Sequence, residues 1–244
     1  MIRSSNPALN SKTFEHQGPV TEKMTIQGTT NKTLILLMLV MITASKTWSM
    51  FLDGNPNLML FMIGGLIGGL ILALITVFKK TWSPVTAPIY ALLEGFALGG
   101  ISAYFEMSYP GIVIDAIFLT FGTLFALLMA YKSRMIKATE NFKLGVVAAT
   151  GGIMLIYVIN FILGFFGSQI PLIHESGTFG ILFSLFVVTI AALNLVLDFD
   201  FIENGVKAGA PKYMEWYASF GLIVTLVWLY LEILRLLAKM RSRN

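Results

Sequence analysis

The stretch Leu193–Glu215, LNLVLDFDFIENGVKAGAPKYME, joins two apolar runs of membrane length and gathers acidic residues between them. Its acids are Asp198, Asp200, Glu203 and Glu215. A further acid, Glu232, lies inside the second apolar run. A charge at bilayer depth costs about 2.5–3.5 kcal/mol on insertion scales, and such residues usually face a cavity or a partner. The stretch therefore predicts an ion or proton path, a catalytic dyad, or a solvated loop between two spans.

The composition of the whole chain is that of a polytopic membrane protein. Of 244 residues, 56% are hydrophobic and only 12% are charged, whereas soluble domains carry about 25% charged residues. The chain has no cysteine, which excludes disulfides, a thiol nucleophile and thiolate metal ligands. The net charge of +4 indicates loops that face anionic lipid, so we expect a lipid bilayer and no nucleic acid as partner.

Apolar runs predict an all-α fold of seven transmembrane helices, because a spanning helix needs about 20 apolar residues. The runs are Thr33–Phe51, Leu58–Phe78, Pro84–Phe105, Ile112–Tyr131, Leu144–Phe166, Phe179–Phe201 and Glu215–Ala238. The predicted domains are a polar cytoplasmic tail (residues 1–32), the transmembrane domain (33–240) and a basic tail (241–244). The alternative is six spans plus a re-entrant segment, which would place both termini inside.

The distribution of Lys and Arg predicts a cytoplasmic N-terminus. With the N-terminus inside, most of the 17 basic residues fall in cytoplasmic segments, as the positive-inside rule requires. Seven spans then place the basic C-terminal tail outside, which is the observation that keeps the six-span alternative open. We expect that residues 1–32 are not a cleaved signal peptide, because they contain no apolar run.

Glycines at a spacing of four residues occur in the second and third runs. Gly64, Gly65, Gly68 and Gly69 form a doubled small-xxx-small pattern, and Gly95 and Gly99 repeat it. Such patterns let helix backbones approach closely. Packing inside the monomer is the favoured interpretation, and a dimer seam is the other.

Two acids lie within the third and fourth runs. Glu94 is about ten residues into the third run, near mid-membrane, so it is either protonated, solvated in a cavity or hydrogen-bonded to a neighbouring helix. Asp115 falls in the first turn of the fourth run, where the helix dipole favours a carboxylate.

Asp198 and Glu215 are predicted to lie on opposite arms of a helical hairpin that turns at Asn204-Gly205. Antiparallel arms would place the two carboxylates at similar depth near the inner face. Two adjacent carboxylates cannot both ionise at low cost, so the pair would share a proton at lower pH. At higher pH it would bind Ca²⁺ through oxygen ligands. The alternative is a solvated acidic loop balanced by Lys207 and Lys212.

Glu232 is predicted near the outer end of the seventh helix. It has two candidate partners there, Arg235 at i+3 and Lys46 from the first loop. Either pair would act as a latch or simply neutralise charge.

Several enzyme classes are excluded by the residues. The two histidines, His16 and His174, fall on opposite sides of the predicted membrane, and neither an H-E-x-x-H motif nor a P-loop occurs. An aspartyl intramembrane protease needs two acids at matched depth, and no Gly-x-Gly-Asp run is present. We expect no enzyme and no cofactor, and Ca²⁺ or another cation is the candidate for a transported or bound ion.

The order of motifs resembles the Bax inhibitor-1/YccA-like membrane proteins. The resemblance rests on the helix count, on Tyr90-x-x-x-Glu94-Gly95 in the third helix, and on the acid-bearing end of the sixth helix, Leu197-Asp198-Phe199-Asp200-Phe201-Ile202. A Tyr-x-acid element in the last helix adds to it, and the polar start, from Arg3, is similar to a bacterial branch. This implies a protein of the bacterial inner membrane.

The resemblance implies a pH-sensitive Ca²⁺ leak gated by two acids, one in the sixth helix and one in the seventh. Asp198 matches the first, while both Tyr213-Met-Glu215 and Tyr230-Leu-Glu232 fit the second, where the family usually has Asp. The implied sensor and ion-path residues are Asp198, Glu215, Glu232 and Glu94. Secondary candidates are Asp200, Glu203, Asp115 and Arg235. The alternative function is a non-transporting regulator of other membrane proteins, such as a membrane protease.

Overall fold

The computed structural model describes residues 22–168, 170 and 177–243, and these residues form seven long helices. The helices are α1 Ile26–Leu52, α2 Leu58–Phe78, α3 Ser83–Ser108, α4 Ile112–Lys132, α5 Glu140–Phe165, α6 Thr178–Lys207 and α7 Met214–Arg241. A short 3₁₀ turn, Lys80–Trp82, leads into α3. All seven helices are long and apolar enough to cross a membrane. The all-α, seven-helix prediction is confirmed.

The chain divides into two compact units, which we describe separately. Of the described residues, the α1–α3 unit comprises 22–110 and 200–224, and the α4–α5 unit comprises 111–168, 170, 177–199 and 225–243. Helices α6 and α7 each contribute one part to each unit.

Glycines hold the α1–α3 unit together. A Cβ atom on Gly65 would lie 2.5 Å from the Leu93 carbonyl oxygen of α3. On α3 itself, a Cβ on Gly95 would lie 2.3 Å from the Val40 carbonyl oxygen of α1. Both distances are below van der Waals contact, so these positions exclude any side chain. Gly65 and Gly95 therefore serve packing within the chain, the interpretation that the sequence favours, whereas a Cβ on Gly64 would meet nothing within 4 Å.

An apolar cluster and a polar bridge join the helices of the α4–α5 unit. Ile153 of α5 is buried with Val187 of α6, and Trp228 of α7 packs against them. The Asn194 amide of α6 donates to the Thr150 hydroxyl of α5 at 2.8 Å. Because apolar packing against lipid gives helices little net gain, such hydrogen bonds help to hold α5 and α6 together.

Helix α1 begins at Ile26, seven residues before the predicted Thr33. Thr25 is its N-cap, and the Thr25 hydroxyl accepts from the Gly28 amide at 2.9 Å. Residues 26–32, which the sequence assigns to the cytoplasmic tail, therefore form the first two turns of α1. Residues 1–21, including His16, lie outside the described residues, as does His174.

Helix α6 continues to Lys207, so the predicted turn at Asn204-Gly205 is wrong. Asp200 accepts from the Asn204 amide at 2.8 Å, and Glu203 pairs with Lys207 at 2.5 Å. These i,i+4 pairs stabilise an additional helical turn. The chain reverses instead at Gly209, whose φ of +66° is readily adopted only by glycine.

Candidate carboxylate sites

Asp198 lies on α6 among buried apolar neighbours, with Leu197 and Phe199 on either side. The Thr225 hydroxyl of α7 donates to its carboxylate. The other oxygen, Oδ2, is buried and has no hydrogen-bond partner among the described residues. An ionised carboxylate offers acceptor sites only, and a buried acceptor without a donor costs about 1–3 kcal/mol. An ionised Asp198 would therefore keep one buried oxygen without a donor among the described residues.

Glu232 is the second acid of the α4–α5 unit with a buried, unused oxygen. Its Oε1 accepts from the Tyr157 hydroxyl of α5 at 2.9 Å and from the Arg235 guanidinium at 2.9 Å. Arg235 also donates to the Tyr157 hydroxyl at 3.1 Å, which closes a triangle. The Glu232 side chain is only 3% exposed, and its Oε2 has no partner within the part of the chain that the structure describes. Of the two predicted partners, Arg235 forms the ion pair.

Helix α7 carries both Glu232 and the hydroxyl donor to Asp198. Thr225, the hydroxyl donor to Asp198, precedes Glu232 by seven residues, or two helical turns. Two turns place the residues on the same face of α7, about 10 Å apart along the helix axis. The α4–α5 unit thus presents two partly satisfied carboxylates at successive levels of one helix.

Glu215, at the start of α7, is surrounded by donors in the α1–α3 unit. Its Oε1 accepts from both the amide and the hydroxyl of Thr25 at 2.9 Å. It forms ion pairs with Lys32, through Oε2, and with Lys212 at 3.4 Å. A Cβ on Gly28 would lie 2.1 Å from the carboxylate, so only glycine fits beneath it. Glu215 is fully buried, and the cost of burying its charge is offset by two lysines and by the amide and hydroxyl of Thr25.

The predicted pairing of Asp198 with Glu215 stays a prediction, because the two residues belong to different units. The signal for the actual partner of Glu215 was present in the sequence. Lys32 follows Thr25 by two helical turns, but the segment was interpreted as a tail, and a lysine in a tail has no fixed position.

Glu94 lies on α3 against α2. Its carboxylate accepts from the Tyr90 hydroxyl, one turn earlier on the same helix. One of its oxygens is 3.2 Å from the position that a Cβ on Gly69 would occupy. The Tyr90 ring packs edge-on against Phe220 of α7, with ring centroids 4.9 Å apart. The hydrogen-bond donor to Glu94 therefore lies on α3 itself. On α2, the absence of a side chain at Gly69 leaves room for the Glu94 carboxylate.

The secondary acids form pairs at the ends of helices. Asp115, in the first turn of α4, accepts from the Arg241 guanidinium at 2.6 Å. Asp200 and Glu203 form the α6 pairs already described. Ion pairs with this exposure contribute about 0–1 kcal/mol to stability, so these contacts stabilise the helix ends only weakly.

Polar side chains that the sequence analysis did not select complete the sites. Thr225 and Tyr157 bind the two acids of the α4–α5 unit, and Lys239 donates to the Gly180 carbonyl oxygen at 3.1 Å. The Tyr217 hydroxyl is buried without a partner among the described residues. A hydroxyl in an apolar helix has no distinctive sequence signal, so these residues could be found only from the packing. In the described ranges, no group of three or more Asp, Glu or His side chains is arranged to hold a metal ion.

Comparison with known proteins gives one match, which covers nearly the whole chain. The family model described as Bax inhibitor 1 like matches residues 6–242. No curated protein and no solved structure matches the chain. The matched range contains all seven helices and every carboxylate site described above. The chain is therefore an integral membrane protein that belongs to the Bax inhibitor 1 like family.

Proposed function

We propose that this protein is a pH-dependent cation leak, with Ca²⁺ as the favoured ion and Asp198 as the group whose protonation controls it. The observation that supports the proposal most directly is the buried Asp198 Oδ2 that lacks a partner among the described residues. An acid that served only to join two helices would have its acceptors satisfied. The family resemblance supports the same activity.

Protonation changes what Asp198 offers to a cation. The ionised carboxylate presents oxygen lone pairs, which are the ligands that Ca²⁺ prefers. The protonated form carries an O–H donor and no charge. Flux should therefore rise as Asp198 loses its proton and fall as it gains one.

We assign the second carboxylate of the path to Glu232. Glu215 already faces two lysines and two hydrogen-bond donors, which leaves little of its charge for a passing ion. Glu232 keeps one oxygen unused among the described residues and lies two turns beyond Thr225 on α7. Asp198 and Glu232 would then be successive binding positions, with Glu94 in a separate role in the α1–α3 unit.

The experiment is Ca²⁺ flux into liposomes across a pH series, with purified parent protein and Asp198→Asn. The parent should show flux that increases with pH, and the variant should show flux that no longer follows pH. An unchanged pH profile in the variant, or no flux in the parent, would contradict the proposal.

A non-transporting regulator of other membrane proteins, such as a membrane protease, is the second candidate. It is favoured by α5, where Gly151 and Gly152 are exposed and a Cβ on either would meet nothing within 4 Å. Small residues on a lipid-facing surface allow another transmembrane helix to approach closely. In this case Gly151→Leu should abolish co-purification of a partner, and the parent should carry no Ca²⁺.

We also propose that the protein has no catalytic activity and resides in a bacterial inner membrane with its N-terminus in the cytoplasm. The basic loops support this orientation. Proteolysis of a membrane substrate that disappears in Asp198→Ala would overturn the first statement.

A further inference from the structure

We propose that a basic surface on the α1–α3 unit binds the headgroup of an anionic phospholipid. The surface, called here the lysine surface, consists of Lys23, Lys79, Lys80 and Lys212. Its lysines belong to the α1–α3 unit, whereas Asp198 and Glu232 belong to the α4–α5 unit, and it does not depend on the proposed function.

Three chain segments meet to form the lysine surface. The residues before α1 pair with the α6–α7 turn, since the Met24 amide donates to the Ala210 carbonyl at 2.7 Å and the Lys212 amide donates to the Glu22 carbonyl at 3.1 Å. The start of α3 joins the same turn, because the Ser83 hydroxyl donates to the Tyr213 carbonyl at 3.0 Å. Lysines distant in sequence are thus held on one surface.

The charge of this surface is positive where it faces the surroundings. Lys23 and Lys79 are exposed, and the Lys212 side chain is 44% exposed. Among the described residues, Glu22 is an exposed acid at this surface, and the buried Glu215 is paired with both Lys32 and Lys212. An anion approaching from outside therefore meets more positive than negative charge.

Aromatic side chains place the lysine surface at the boundary of the bilayer. Phe78 is 79% exposed and Trp82 is 58% exposed, one on each side of Lys79 and Lys80. This turn connects two membrane-length helices, so it lies at a membrane–water boundary whichever way the protein is oriented. Exposed aromatic rings are enriched at that depth, where the lipid headgroups begin. The Lys80 ammonium lies 5.5 Å from the centre of the Tyr217 ring, which is itself buried, so Lys23, Lys79 and Lys212 provide the more exposed charge.

The combination of lysines and aromatic rings favours a lipid over a soluble anion. A free phosphate would use the lysines only, whereas a phospholipid uses the lysines through its phosphate and the rings through its glycerol and upper chains. Basic residues near an anionic membrane surface contribute about 1 kcal/mol each, or about fivefold in affinity. Removal of two lysines should therefore weaken binding by about thirtyfold.

The test is native mass spectrometry of the full chain released from bilayers that contain equal parts phosphatidylglycerol and phosphatidylcholine. The parent should retain phosphatidylglycerol in preference to phosphatidylcholine. The double variant Lys23→Ala/Lys79→Ala should lose that preference, and Lys23→Arg/Lys79→Arg should keep it because the charge is unchanged. The matched control is Lys132→Ala/Lys137→Ala, which removes the same charge from the α4–α5 loop, where both lysines are exposed.

Three outcomes would overturn the proposal. The first is equal retention of both lipids by the parent. The second is an equal loss in the lysine-surface variant and in the control, which would indicate a general effect of net charge. The third is displacement of the retained lipid by millimolar inorganic phosphate, which would indicate a soluble-anion site. Circular dichroism of each variant shows that it is folded.

Discussion

The buried acids of this chain differ in the number of donors that surround them. Glu215 faces Thr25, Lys32 and Lys212, whereas the only donor identified for Asp198 is Thr225. The same functional group in the same kind of helix can therefore be a fixed structural element or a site that still has binding capacity. Lys212 is close to Glu215 in the sequence, but Thr25 and Lys32 are 190 and 183 residues away, so apolarity alone does not show how fully Glu215 is paired.

Removal of the Glu215 charge should destabilise the protein strongly. In Glu215→Gln, the nearly buried Lys32 ammonium loses its counter-charge, and breaking a buried pair costs about 3–5 kcal/mol. Thermal unfolding in detergent measures the loss. The control Glu203→Gln breaks the more exposed pair with Lys207 and should change stability by about 1 kcal/mol or less. Similar losses in the two variants would contradict the structural role of Glu215.

A methyl group at Gly28 should act in the same direction. The Cβ of Gly28→Ala would lie 2.1 Å from a Glu215 oxygen, so the carboxylate or α1 must move and the variant should unfold at a lower temperature. The control Gly151→Ala adds a methyl group where nothing lies within 4 Å and should gain about 1 kcal/mol from helix propensity. Equal effects of the two substitutions would show that the space over Gly28 is not limiting.

The apolar runs of the sequence are long enough to predict all seven helices. The ends of α1 and α6 depend instead on polar side-chain contacts. Helix α2 has the predicted bounds, because lipid-length apolarity and a clear turn define it. Helix α1 gains two turns because Thr25 caps it and Lys32 has a buried partner. Helix α6 gains turns through the Asp200 and Glu203 pairs. A hydropathy profile does not record polar side-chain pairs, so it cannot predict the helix ends that these pairs stabilise.

The contact between α5 and α7 should depend on one hydroxyl. In Tyr157→Phe, the Glu232 carboxylate loses one of its two donors while the ring and its packing are kept. We expect a loss of about 1–3 kcal/mol, the usual penalty for an unsatisfied buried group. Thermal unfolding measures it against Tyr104→Phe, a control at an exposed tyrosine. If the two variants unfold at the same temperature, Arg235 alone satisfies Glu232.

For the whole molecule, the number of spans fixes which membrane side each loop faces. The native chain has no cysteine, so single cysteines at exposed loop positions can be labelled without background. Seven spans with the N-terminus inside predict that an impermeant maleimide labels Asn57→Cys and Ser242→Cys on whole cells, and Ser133→Cys only after lysis. Labelling of Ser242→Cys only after lysis would indicate an even number of spans, as in the re-entrant alternative.

If Asp198 controls cation flux by gaining and losing a proton, as proposed, its substitution must change how Ca²⁺ flux into liposomes depends on pH. Asp200→Asn is the matched control, because it removes the same charge two residues away, on an acid already paired with Asn204. We expect Asp198→Asn to abolish the pH dependence of Ca²⁺ flux and Asp200→Asn to retain the parent profile. The same pH profile in the parent and in Asp198→Asn would contradict it.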